Sequence, residues 1–183
     1  MFGKGSKKAP DVPWSLQFLT TDYLISGTAS PKDYKIGDQT VFFDACQNQG
    51  AEAFQLMVMG PAELEPTGSL AVGHETLPQW TLGLCDTLIA VIPNDDTSRQ
   101  ASQHDFKDYR QSLLAAFYVG PYLIQGQYLA DPADGSVLFR EEKSLRPIAD
   151  AQIDGLLPGS KLKGWRVPWL LLNGRLLHGY RLL

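Results

Sequence analysis

The chain has 183 residues, 44% hydrophobic and 20% charged, which is enough apolar side chain for a packed core and too much for a disordered chain. Its length holds one medium domain or two small ones. No run approaches the roughly 18 apolar residues of a membrane-crossing helix, and 17 glycines with 12 prolines dispersed along the chain argue against a few long helices.

The formal charge of −4 is unevenly spread. Lys4, Lys7 and Lys8 make the start basic, residues 161–183 carry five bases and no acid, and residues 9–160 hold all 20 acids against 8 bases. Basic ends on an acidic body suit docking against that body, or against a neighbouring subunit, better than nucleic-acid binding, which needs a denser stripe.

In chain order, residues 1–13 have lysines and glycines with no apolar stretch behind them, so a flexible basic arm is expected rather than a secretory signal. Gly3-Lys4-Gly5-Ser6-Lys7 lacks the spacing of a phosphate loop and the strand that should precede it. Trp14 to Thr20 reads as a strand. The ten residues Phe18 to Gly27 align without gaps on Phe117 to Gly126 at an offset of 99, with five identities: Phe18/Phe117, Tyr23/Tyr122, Leu24/Leu123, Ile25/Ile124 and Gly27/Gly126.

Thr40 to Cys46, Phe54 to Met59 and Thr87 to Ile92 are short, branched or aromatic, and bounded by turn residues, which marks strands. Asp44 lies within the first of them, as the polar side of a half-exposed strand or as a partly buried acid. Cys46 and Cys85 fit no metal or redox spacing and are expected to be reduced core thiols, which points to a cytoplasmic location. His74-Glu75 starts like a zinc-protease helix, but Pro78 stands where its second histidine belongs.

Ser102 to Asp105 matches a helix capping box, followed by Phe106, Tyr109, Leu113 and Phe117 at helical spacing. A short helix over 103–112 is therefore expected, giving way to a strand from Leu113 to Val119. Pro121 to Leu129 and Trp169 to Leu172 read as further strands. Asn173-Gly174, between Val167–Leu172 and Arg175–Leu182, is the preferred pair of a type I′ turn and predicts a terminal β-hairpin.

After each copy of the ten-residue motif come an apolar segment, Leu56 to Leu64 or Arg146 to Ile153, then a proline–glycine turn, and then an apolar strand, Thr87 to Ile92 or Val167 to Leu172. This shared order predicts an internal duplication. The expected fold is mainly β: two similar small antiparallel units, barrel or sandwich, packed together with one short helix. The units span 14–97 and 113–183, joined by a linker over 98–112 that holds the helix.

No catalytic constellation is present. His74, His104 and His178 lie in separate segments, no nucleophile elbow or dinucleotide loop occurs, and Asp95-Asp96, Asp105 with Asp108, and Glu141-Glu142 sit in polar stretches where solvated acids are ordinary. Neither an enzyme, a metal site nor a cofactor is expected. Two apolar or basic features remain. Lys161, Lys163, Trp165, Arg166 and Trp169 interleave bases with aromatics, as a β-barrel that binds single-stranded nucleic acid or another anionic ligand does. The chain ends on Tyr180, Leu182 and Leu183, apolar where termini are usually polar. The leading expectation is a non-enzymatic, homo-oligomeric interaction module, with itself or another protein as partner.

Overall fold

The computed structural model describes residues 14–29, 55–69, 73–77, 80–83, 87–94, 111–130 and 145–183. These form β1 (Trp14–Thr20), β2 (Tyr23–Ala29), β3 (Gln55–Pro66), β4 (Glu75–Leu77), β5 (Trp80–Gly83), β6 (Leu88–Pro93), β7 (Gln111–Val119), β8 (Tyr122–Ala130), β9 (Leu145–Gly155), β10 (Trp165–Asn173) and β11 (Leu177–Leu182). Period-two burial is clearest on β8. On β8, Tyr122, Ile124, Gly126 and Tyr128 are buried while Leu123, Gln125 and Gln127 are half-buried, the pattern of a strand with one face on the core. All six residues of β6 are buried, and its unbroken apolar run suits a strand covered on both faces.

The chain is mainly β, and its strands form one antiparallel sheet in the order β11-β7-β8-β9-β10-β6-β1-β2-β3-β4, with β5 beside β3. Two similar small antiparallel units, barrel or sandwich, were expected. Instead, β10 pairs with β6, Leu171 opposite Val91 and Leu172 opposite Ala90, so backbone hydrogen bonds run continuously from one half into the other.

Two further expectations are corrected. The helix over 103–112 falls outside the described residues except for Gln111 and Ser112, and these open β7; among the described residues the single helical element is a 3-10 turn, Gly174–Leu176. The helical spacing of Leu113 and Phe117 also serves a strand: both are odd-numbered, so both lie on one face of β7. Nor do β10 and β11 form a hairpin. Asn173 is buried and donates its side-chain Nδ2 to the Leu88 carbonyl at 2.8 Å, which draws it into the β10–β6 seam. Gly174 is not among the glycines with positive φ, which are Gly120, Gly159 and Gly164, so a type I′ turn cannot form. The chain crosses over, and β11 pairs with β7. Asp44, Cys46, Cys85, His104 and the strand over 40–46 lie outside the described residues.

Two three-stranded meanders, β1-β2-β3 and β7-β8-β9, share a register. Phe18 faces Ile25 in the first and Phe117 faces Ile124 in the second. The ladder slips between Ser26 and Thr28 on β2, and between Gln125 and Gln127 on β8. The two bulges thus sit opposite Gly27 and Gly126. A Cβ on Gly126 would lie 2.5 Å from Ile148 Cγ2 and 2.8 Å from the Ala149 carbonyl oxygen, so the bulge, where Asp150 takes a φ of 49°, requires glycine across from it.

The core joins the halves. Phe117, Tyr122, Ile124, Ile148, Ile153, Leu170 and Leu172 pack in one cluster with Leu19, Leu24, Ile89 and Ile92 from the first half. Each such side chain contributes about 1.5–3 kcal/mol by leaving water, so the shared cluster ties the two halves together.

Candidate functional site

Three places carry enough polar or apolar character to act. The first lies where the two hairpin turns meet. The β7–β8 turn, Gly120-Pro121, has a φ of 53° at its glycine; proline at the next position fixes a negative φ, which matches type II′. The β1–β2 turn, Thr21-Asp22, is held instead by Thr20, whose Oγ1 accepts from the Tyr23 amide at 3.0 Å.

Tyr122 opens β8 between these turns. Its hydroxyl donates to the Thr20 carbonyl at 3.0 Å and meets Thr67 Oγ1 at 2.8 Å; since a phenol has one proton, Thr67 is the donor in the second bond. Thr67 is also held through its backbone, its amide donating to the Asp22 carbonyl and its carbonyl accepting from the Lys161 amide, both at 2.9 Å. Burial pushes the Tyr122 phenol above its usual pKa, the Asp22 charge adds to the rise, and the Thr67 hydrogen bond opposes it. Beside them is a cavity of about 230 Å³ lined by Asp22, Thr67, Ser69, Tyr122, Pro158 and Ser160. It is smaller than the roughly 300–1,000 Å³ of most ligand sites, and its buried hydroxyls already bond one another.

The second place is the basic stretch. Lys161 and Lys163 are exposed in the loop before β10, and Arg166 is exposed on β10. Trp165 is half-buried against the core, and Trp169 is 2% exposed. Trp169 is therefore a packing group, and Trp165 shows only part of its ring to solvent. Acids also accompany the cations: Asp154 accepts from the Gly164 amide at 2.6 Å, and Asp150 shares a shallow groove with Arg166.

The third place is the outer edge of β11. Eight large hydrophobic side chains are exposed among the described residues, and six of them, Leu113, Leu114, Tyr118, Tyr180, Leu182 and Leu183, lie on β7, β11 or the final residue. They are gathered by pairing: Tyr180 stands opposite Phe117 and Leu182 opposite Ala115, with the Phe117 and Tyr180 rings 6.4 Å apart. Tyr180 and Leu182 thus continue a core-facing row, yet they remain 44% and 58% exposed. Of the terminal residues singled out from the sequence, Tyr180 and Leu182 share one face with Phe117 and Ala115, while the Leu183 amide donates to the Leu114 carbonyl; Leu114 and Tyr118, on the other face of β7, were not anticipated, because only the β7–β11 pairing puts them beside that end.

Among the described residues no group of three or more histidines, cysteines or acids could hold a metal ion, and no helix is long and apolar enough to cross a membrane. His74 and His178 are both exposed, on different strands or turns of the sheet. No family model matches the chain, and neither a curated protein nor a solved structure matches it.

Proposed function

We propose that the chain is a non-enzymatic assembly module that binds protein through the free edge of β11, with a second copy of itself as partner. The observation that carries the reading is the group of exposed apolar side chains at that edge: among the described residues β11 pairs with β7 alone, while Tyr180, Leu182 and Leu183 stay exposed. Edge strands are normally blunted with charge or covered, because an open edge recruits another strand. Sedimentation velocity across a concentration series tests it. The full chain is expected to assemble, and both Leu182→Glu and a deletion of residues 180–183 to shift it to monomer; a full chain that sediments as a monomer throughout overturns the reading.

The two halves, 14–97 and 113–183, are read as a duplication. The equal registers of the two meanders support it, and so does a second pair of matching irregularities. The β1–β6 ladder slips between Leu19 and Thr20 and passes over Ile89; the β7–β11 ladder slips between Tyr118 and Val119 and passes over His178. Asn94 donates its amide to the Ser15 carbonyl, as Leu183 donates to the Leu114 carbonyl. By this measure the counterpart of β6 is β11, at an offset of 89, and not β10, the strand that resembles β6 in composition. On the same measure β4 and β5, which flank β3, correspond to β10, which flanks β9.

The alternative, binding of single-stranded nucleic acid or another anionic ligand at Lys161, Lys163, Trp165, Arg166 and Trp169, draws on three exposed bases. It has no free aromatic to stack on at Trp169. A gel shift with poly-U at low salt that is lost on Lys163→Ala would favour it.

A further inference from the structure

The inner edge of β6 shows what kind of strand the outer edge of β11 takes. Two strands flank β6: β1 on one side and β10 on the other. Through these contacts Val91 is 0% exposed, whereas Tyr180, its counterpart on β11, is 44% exposed. β11 has the equivalent of β1, which is β7, and among the described residues no equivalent of β10 stands beside it. That equivalent exists in the chain as β5, held on β3 at the far end of the same sheet.

We propose that β11 takes β5 of a second copy as its missing neighbour, so that two chains close each other's open ends about a two-fold axis. The register follows from the internal template. Leu171 opposite Val91 and Leu172 opposite Ala90 on the β10–β6 seam become Thr81 opposite Tyr180 and Leu82 opposite Gly179 on the new one. A second copy fits because, among the described residues, both ends belong to one open sheet and are complementary to each other, not to themselves; an isologous dimer uses each of them once. The row is ready for such a strand: Tyr180 and Leu182 lie in line with Phe117 and Ala115 of β7, and both stay exposed. This inference rests on the assembly reading and on the duplication, and adds the identity of the docking strand.

Co-expression of two differently tagged full-length chains tests it, one chain carrying the photo-cross-linker benzoylphenylalanine in place of Tyr180 and the other carrying none. Irradiation is expected to yield a product of twice the monomer mass, retained on both tags, whose cross-linked peptide joins position 180 to the segment 80–83. A cross-link to 80–83 within a chain of monomer mass overturns the proposal in favour of closure of the sheet on itself. A doubly tagged product joined at any other segment, or none at all, also overturns it. Sedimentation of the unmodified chain separates the two levels: a dimer cross-linked elsewhere removes β5 as the docking strand and leaves the assembly reading standing, whereas a monomer removes both.

Discussion

Tyr122 and Thr67, 55 residues apart, meet hydroxyl to hydroxyl at 2.8 Å with the Tyr122 ring buried. Tyr122 belongs to the second meander and Thr67 follows the last strand of the first, so this bond, with the Tyr122 bond to the Thr20 carbonyl, ties the two hairpin turns together. Tyr122→Phe leaves the Thr67 hydroxyl and the Thr20 carbonyl short of a buried partner, at a cost of about 1–3 kcal/mol. Chemical denaturation is expected to show that loss, and the double variant with Thr67→Val to lose less than the two single losses added together.

The same phenol makes the fold sensitive to alkali. Its pKa is raised in the folded state by burial and by Asp22, so the folded protein holds the proton more tightly than the unfolded chain, whose phenol titrates near 10. The contribution is complete below about pH 10 and is lost as pH rises through the folded-state value. Urea midpoints followed from pH 8 to 11 should fall more steeply in the wild type than in Tyr122→Phe; parallel curves would assign the alkaline loss to other groups.

Two glycines should respond in opposite ways. Gly126→Ala forces a methyl group against Ile148 and the Ala149 carbonyl at the β9 bulge, and a loss of about 1–3 kcal/mol is expected. Gly179→Ala points into open space and should change stability by less than about 0.5 kcal/mol. Thermal melts of the two variants, side by side, separate a packing requirement from a general intolerance of substitution in strands.

Asn173 holds the seam between the halves. Its Nδ2 bond to the Leu88 carbonyl is buried at 2.8 Å, and Asn173→Leu removes the donor while leaving the acceptor enclosed. A loss of about 1–3 kcal/mol is expected, with hydrogen exchange accelerated in β6 and β10 more than in β2 or β8. Uniform acceleration would mean that the seam is not the weakest joint.

Much of the strand content was legible along the chain. Trp14 to Thr20 is β1, and the segments near 54–59, 87–92, 121–129 and 169–172 fall on β3, β6, β8 and β10, because alternation and bounding turn residues act over a few positions. The five shared residues of Phe18–Gly27 and Phe117–Gly126 carry the common hairpin register, since a two-residue turn sets which side chains stand opposite one another. The terminal hairpin does not form although Asn173-Gly174 is a strong local turn signal, because a long-range partner, the Leu88 carbonyl, holds the buried Asn173 side chain. Of the candidate sites, Tyr180, Leu182 and Leu183 were visible as an apolar end, while Lys161 to Trp169 gave no means of distinguishing a buried tryptophan from a displayed one.

By itself the sequence determined that the protein is built of short antiparallel strands, where most of them lie, and that two stretches 99 residues apart share one motif. Only the tertiary structure decided which strand stands beside which. β6 and β11 occupy matching places against β1 and β7, yet share one residue in six, Leu88 with Leu177. Backbone hydrogen bonds make the pairing and are indifferent to side-chain identity, whereas side chains answer to burial: β6, enclosed on both faces, is apolar throughout, and β11, at an open edge, is Leu-His-Gly-Tyr-Arg-Leu.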